Sequence, residues 1–165
     1  MRAVTEDMIR ASMINMSVDE LEVMTIPGLH ETVWEEREFL GWRDAHHKTR
    51  GYLVFWADDE LWGLMVRAAA SPMPGGRSAM CVLCHTHQPA PQVSLFTAPK
   101  TGEAGARGAS VGTYLCADLA CSLLIRVLPV ASAEIPEPET IVTHKTRGMK
   151  DRLWNFSKRV RSEAA

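Results

Sequence analysis

The sequence predicts an α+β fold: N-terminal helices and a β-hairpin, then a small module built on cysteines, then a basic helical tail. Three observations predict it. Apolar residues recur at helical spacing before residue 25, two runs rich in β-branched and aromatic residues flank an Asp-Asp turn, and four cysteines fall into two tight pairs. With 165 residues, 46% of them hydrophobic, the chain is long enough for one ordinary core, so a single domain is the expectation.

Residues 5–24 read as a helix in two pieces. Ser17-Val18-Asp19-Glu20 forms a capping box that restarts the helix, and Ile26-Pro27-Gly28 ends it. Met8, Ile9, Met13, Met16, Leu21 and Met24 form the expected buried side. The stretch from Trp34 to Asp44, with Phe39-Leu40-Gly41-Trp42 inside it, reads as a packed connector. Residues 51–56 and 61–67 are strand-like, and Asp58-Asp59 between them suits a hairpin turn. Ser71-Pro72-Met73-Pro74-Gly75-Gly76 then breaks the chain.

Cys81-Val82-Leu83-Cys84 and Cys116-Ala117-Asp118-Leu119-Ala120-Cys121 are separated by 31 residues. Two short loops of this kind bring two pairs of thiolates to one tetrahedral centre, and four sulfurs leave no open position for substrate. The pattern therefore predicts one structural zinc ion held by Cys81, Cys84, Cys116 and Cys121. A redox Cys-x-x-Cys beside two buried thiols, or a pair of disulfides, are the alternatives. Residues 81–84 are the expected knuckle, 93–97 a strand, 102–112 a flexible hairpin tip with four glycines, 111–116 the returning strand, and 117–128 a helix carrying Cys121 near its start. The glycines match neither a Walker loop nor a dinucleotide fingerprint. His85 and His87 follow a ligand set that is already complete and read as surface groups or as groups that support the ligands from behind, and His46-His47 lies in a polar turn.

Net charge is −2, but residues 145–165 carry seven Lys/Arg against two acids, a basic tail on an acidic body. Residues 129–144, with Pro129, Pro136, Pro138 and three glutamates, read as an extended linker. In the tail, Met149, Leu153, Phe156 and Val160 line one side of a helix. That helix either docks on its own domain or contacts RNA or an acidic partner through Lys150, Arg152, Lys158 and Arg159. The expected division is a domain over 1–128 with the zinc module at about 79–128, a linker over 129–144 and a tail over 145–165. No apolar run approaches the about 20 residues a membrane span needs. The polar, acidic start Met1-Arg2-Ala3-Val4-Thr5-Glu6-Asp7 does not suit an export signal, so a cytoplasmic location is expected.

Phe39-Leu40-Gly41-Trp42, Leu61-Trp62-Gly63-Leu64, Cys81-Val82-Leu83-Cys84, Val93-Ser94-Leu95-Phe96 and Gly112-Thr113-Tyr114-Leu115-Cys116-Ala117-Asp118 resemble, in order, the C-terminal treble-clef zinc-finger domain of the bacterial elongation factor G-binding proteins, the FusB-type fusidic acid resistance family. The resemblance covers roughly residues 8–128. It implies a cytosolic, translation-associated module that binds elongation factor G through the zinc domain and modulates its release from the ribosome. It also implies that Tyr114 grips the factor; Phe96 and Met80 are expected to contribute to the same exposed ridge. The family places a lysine where this chain has Val111, a phenylalanine where it has Met80, one more residue within the second cysteine pair, and a helical bundle ahead of the module. The expectation is therefore factor binding more than drug resistance.

Two other classes stand beside this reading. A ribosome- or RNA-binding zinc protein would use the glycine-rich loop with Arg107 and the basic tail. An enzyme is not expected: a zinc deaminase needs a His/Cys-x-Glu tripeptide and an open metal position, and no such tripeptide occurs. No small-molecule substrate and no membrane partner are expected.

Overall fold

Residues 51–55 of the longest apolar run are buried without a break. Successive side chains of a strand point to opposite faces, so such a run demands cover on both sides of its sheet. The computed structural model, which describes residues 1–127 and 138–161, shows how that cover is supplied. Tyr52 and Val54 pack with Ile9, Met13 and Met24 of the N-terminal segment. Leu53 and Phe55 pack on the opposite side with Phe96, Met149, Leu153 and the cysteine module.

In chain order the elements are helices α1 (Glu6–Ser12) and α2 (Val18–Glu22), strands β1 (Leu40–Arg43), β2 (Arg50–Ala57), β3 (Glu60–Ala68), β4 (Ser78–Met80), β5 (His87–Pro89) and β6 (Val93–Pro99), helix α3 (Gly102–Ala106), strand β7 (Ser110–Cys116), and helices α4 (Cys121–Leu124) and α5 (Pro138–Arg161). Five strands form one antiparallel sheet in the order β1-β2-β3-β6-β7, and β4 with β5 forms a separate small hairpin.

The N-terminal helices form as their caps predict. Thr5 Oγ1 accepts from Met8 N at 3.3 Å, and Ser17 and Glu20 make both bonds of a capping box. The amphipathic assignment needs one correction: Met8 is 37% exposed, while Ile9, Met13 and Met24 are buried. The end of α1 crosses the sheet at Gly63, whose carbonyl accepts from Ile14 N at 3.0 Å. A Cβ on Gly63 would lie 2.4 Å from Met13 Sδ and 2.6 Å from Ser12 Oγ, so a larger residue here would force both side chains to shift.

Three further expectations are revised. The connector over residues 34–44 contains β1, which pairs Leu40 with Val54 and Trp42 with Tyr52. The glycine-rich tip contains α3, and Arg107 closes its C-terminal end through hydrogen bonds from its N–H to Glu103 O and Gly105 O. The extended linker over 129–144 is helical from Pro138 onward, and residues 129–137 lie outside the described residues.

Strands β3 and β6 pair over only two residue pairs, Arg67 with Thr97 and Ala68 with Phe96. Asn15 spans the gap where they diverge. Its Nδ2 donates to Met65 O at 2.9 Å and Pro99 O at 3.1 Å, and its Oδ1 accepts from Met65 N at 2.8 Å. A side-chain amide thus replaces missing ladder bonds for backbone groups that would otherwise be buried unpaired.

Helix α5 docks on the sheet. Met149 and Val160 are 0% exposed, Leu153 1% and Phe156 5%, so the spacing read from the sequence marks a core face. Trp154 packs edge-on against Trp62, with ring centroids 4.9 Å apart, at the border of that face. Leu153→Ala should therefore destabilise the fold by about 2–5 kcal/mol in chemical denaturation. A change within about 0.5 kcal/mol, the range of ordinary surface substitutions, would show that the helix is not part of the core.

Glu38 fastens these layers. Its buried carboxylate takes a bidentate pair from Arg126 at 2.7 and 2.8 Å and a bond from Thr146 Oγ1 of α5 at 3.3 Å. Burial alone would raise its pKa, but the hydrogen bonds and charge of Arg126 hold it below the ordinary glutamate value. A depressed native pKa contributes stability that is complete above the unfolded value and disappears as pH falls through the native value. Glu38→Gln should cost about 3 kcal/mol at neutral pH, because it leaves Arg126 unpaired. In melts carried below about pH 4, the gap between wild type and variant should shrink; a pH-independent gap would refute the assignment.

Candidate metal centre

The first cysteine pair is shaped by a turn within the β4–β5 hairpin. Cys81 N donates to Thr86 O at 3.3 Å, and His85 N donates to Cys81 O at 3.0 Å. His85 takes the left-handed conformation, φ 51°, that closes this turn. The second pair begins where β7 ends, at Cys116 opposite Val93. Leu119 N then donates back to Cys116 O at 2.9 Å, and Leu119 itself is left-handed with φ 61°. Asp118 Oδ1 accepts from Ala120 N at 3.0 Å, and the reversed chain enters α4 at Cys121. The helix expected over 117–128 is therefore α4 alone, because a left-handed residue cannot continue a helix from 117.

These turns place all four sulfurs within 4.8 Å of one another. Cys81 Sγ and Cys121 Sγ are 3.6 Å apart, as are Cys84 Sγ and Cys116 Sγ. A tetrahedron of Zn–S bonds near 2.3 Å has edges of about 3.8 Å, so the cluster has the dimensions of a zinc site. A disulfide needs about 2.05 Å, and all four thiols are free and buried. Hydrogen bonds from Cys116 and Cys121 pull the Cys84 thiol far down, while Cys121, bonded to Cys116 and Cys81, is pushed well up. Buried thiols so close share protons, and a dication is what lets all four ionise together. The four cysteines hold a structural zinc ion, with no position left for a substrate.

The module is seated on the large sheet through the second loop. A Cβ on Gly41 would lie 2.4 Å from Leu119 O, and one on Gly51 would lie 2.6 Å from Leu119 Cδ1, so two glycines on neighbouring strands make a cradle for Leu119. Arg43 Nη1 donates to Ala117 O at 2.8 Å, and Ser122 Oγ accepts from Glu38 N at 3.2 Å. From the other side α5 grips the knuckle: Arg152 Nε donates to Leu83 O at 2.8 Å and Lys145 Nζ to Thr86 Oγ1 at 3.3 Å.

The structure sorts the predicted partner-binding residues. Tyr114 is 44% exposed and Met80 41%. Val82, 39% exposed, joins them through its N–H bond to Tyr114 O at 2.8 Å, and sequence reading had not singled it out. Phe96 is corrected as a residue of the exposed ridge: it is 0% exposed, because β6 turns it into the core, on the face opposite the paired Leu95 and Tyr114. Arg107 pairs with Glu103 at 3.2 Å on α3. Arg152 holds Leu83, and Lys158 lies over the Trp154 ring at 5.5 Å. Lys150 and Arg159 are on the outer surface of α5. His85 and His87 are exposed, and neither is among the four residues whose ligand atoms cluster. Asp44 caps the turn at His46-His47, accepting from His46 N and His47 N at 2.8 Å and from Tyr52 OH at 2.7 Å, so this turn is structural.

The purified protein should hold one zinc per chain, which elemental analysis checks. Cys116→Ser should lose the metal and open residues 78–127 to protease, because apparent zinc-binding energies of about 10–16 kcal/mol become folding energy. A metal-free variant that resists protease would overturn the structural role.

The model of the FBP C-terminal treble-clef zinc-finger family matches residues 8–160. Among solved structures, the chain superimposes on the fusidic acid resistance protein FusC with a TM-score of 0.53 at 16% identity, covering 88% of this chain and 59% of that one. The chain thus spans about three-fifths of the length of FusC. No curated protein matches significantly. With a four-sulfur centre on a knuckle, a hairpin and a short helix, and a family match running nearly end to end, the chain belongs to the FBP C-terminal treble-clef zinc-finger family, the FusB-type family.

Proposed function

We propose that this protein is a non-enzymatic, cytoplasmic bacterial module that binds elongation factor G and modulates its release from the ribosome. The observation that carries the reading is the ridge of Met80, Val82 and Tyr114. All three side chains are exposed on the zinc module, and the backbones of Val82 and Tyr114 are joined by an N–H···O bond of 2.8 Å. The rigid aromatic ring of Tyr114 buries area on a partner at low entropic cost, and the flexible thioether of Met80 adapts its shape to what it meets. Family membership and the likeness in fold to a fusidic acid resistance protein support the choice of partner. Among the described residues no helix is long and apolar enough to cross a membrane.

The alternative, RNA or ribosome binding through the basic tail and glycine-rich loop, draws less support from the geometry. Arg152, Lys145, Lys158 and Arg161 each make an internal contact, Arg161 over the Trp62 ring at 4.6 Å, and Arg107 pairs within α3. Three residues of the basic pattern that suggested phosphate contacts, Lys145, Arg152 and Arg161, contribute to docking α5.

Tyr114→Ala should weaken binding of purified elongation factor G by about 1–3 kcal/mol in calorimetry, with zinc content unchanged. Phe96→Ala should act differently, lowering stability by about 3–5 kcal/mol as a core deletion. Unchanged affinity in Tyr114→Ala, or no complex with the wild type, would refute the proposal.

A further inference from the structure

Gln88 lies in β5 opposite Ala79, beside an open groove of about 520 Å3 lined by Pro91, Ala117, Leu123 and Val127. Its side chain reaches inward from that groove to the metal centre. Gln88 Nε2 is 3.2 Å from Cys116 Sγ, the separation of an N–H···S hydrogen bond. Of the two ends of an amide, only the NH2 suits an anionic sulfur.

The need for such a donor follows from charge. Four thiolates around a dication leave an excess of about two negative charges. The four cysteines are at most 1% exposed, so water does not solvate that excess. A hydrogen bond to the charged sulfur does so, and groups of this kind beyond the ligands themselves set metal affinity. Gln88 also stands between Cys116 and the groove, the side from which a solvent-borne reagent would approach.

We propose that Gln88 is a positioning residue for the zinc centre, whose N–H···S bond to Cys116 withdraws charge from that thiolate, tightens metal binding and lowers the reactivity of this sulfur. The bond is directly testable in the intact wild-type chain. Loaded with cadmium-113, the protein should show a scalar-coupling peak between the metal and the side-chain amide protons of Gln88; absence of the peak overturns the proposal.

Two variants measure the consequence. Gln88→Met keeps the length of the side chain without the donor, and Gln88→Glu keeps its shape while adding a negative charge. Zinc affinity, read by competition with a chelator, should fall roughly 10- to 100-fold in Gln88→Met and further in Gln88→Glu. In the cobalt-substituted proteins the sulfur-to-metal charge-transfer band should move to lower energy, and iodoacetamide should modify Cys116 faster. Wild-type affinity in both variants overturns the proposal. So does weakened affinity with an unmoved band, because the side chain would then act by packing alone.

Discussion

Four sulfurs drawn within 4.8 Å of one another and sealed from water form an arrangement that a bare protein does not tolerate and a zinc dication stabilises. Three segments end at that point: the β4–β5 turn, the end of β7 and the start of α4. Holding them together fixes more than the module. It sets Leu119 into the cradle of Gly41 and Gly51, and brings Ser122 to the backbone of Glu38 and Phe39. It also presents Leu83 O and Thr86 to Arg152 and Lys145 of α5. The metal thus acts on the N-terminal strands and the C-terminal helix alike.

The second constraint is a sheet whose central strands are apolar on both faces. One face is covered by α1 and the segment that follows it, the other by α5 and the zinc module. This division leaves Met80, Val82 and Tyr114 of the module exposed. A surface braced by metal on one side and a full core on the other changes shape little on binding, so it loses little entropy when a partner covers it. Helix α5 adds rigidity instead of a mobile arm. Arg152, Lys158 and Arg161 are drawn toward a carbonyl and tryptophan rings of the same chain, which is how long cationic side chains serve at the border of a core.

Elements read wrongly from the sequence share a cause. The chain at 117–120 looked helical by composition, but contact with the sheet holds Leu119 in a left-handed turn that no local preference demands. Residues 34–44 looked like a connector because β1 is only four residues long and earns its hydrogen bonds from β2. Prolines and glutamates suggested an extended linker up to residue 144, yet a proline followed by an acid is also a favourable first turn of a helix, and α5 begins at Pro138.

What the sequence determined by itself is whatever depends on neighbours along the chain. The capping box at Ser17 and Glu20, the β2–β3 hairpin around Asp58-Asp59 and the two cysteine pairs are all set by short spacings, and each forms as read. The four zinc ligands belong here, because thiolates paired at such spacings carry their chemistry with them. Only the tertiary structure decided which chemically similar residues face inward. Phe96 and Tyr114 are both aromatic residues on strands of one hairpin, yet the first is fully buried and the second is 44% exposed. Arg152 and Lys150 are both basic residues of one helix, yet only the first reaches Leu83 O. Gln88, unremarkable in the sequence, stands 3.2 Å from a ligand sulfur. The physical reason is that burial and hydrogen bonding are set by surfaces brought together from distant parts of the chain, and a residue type alone does not say which surface it will meet.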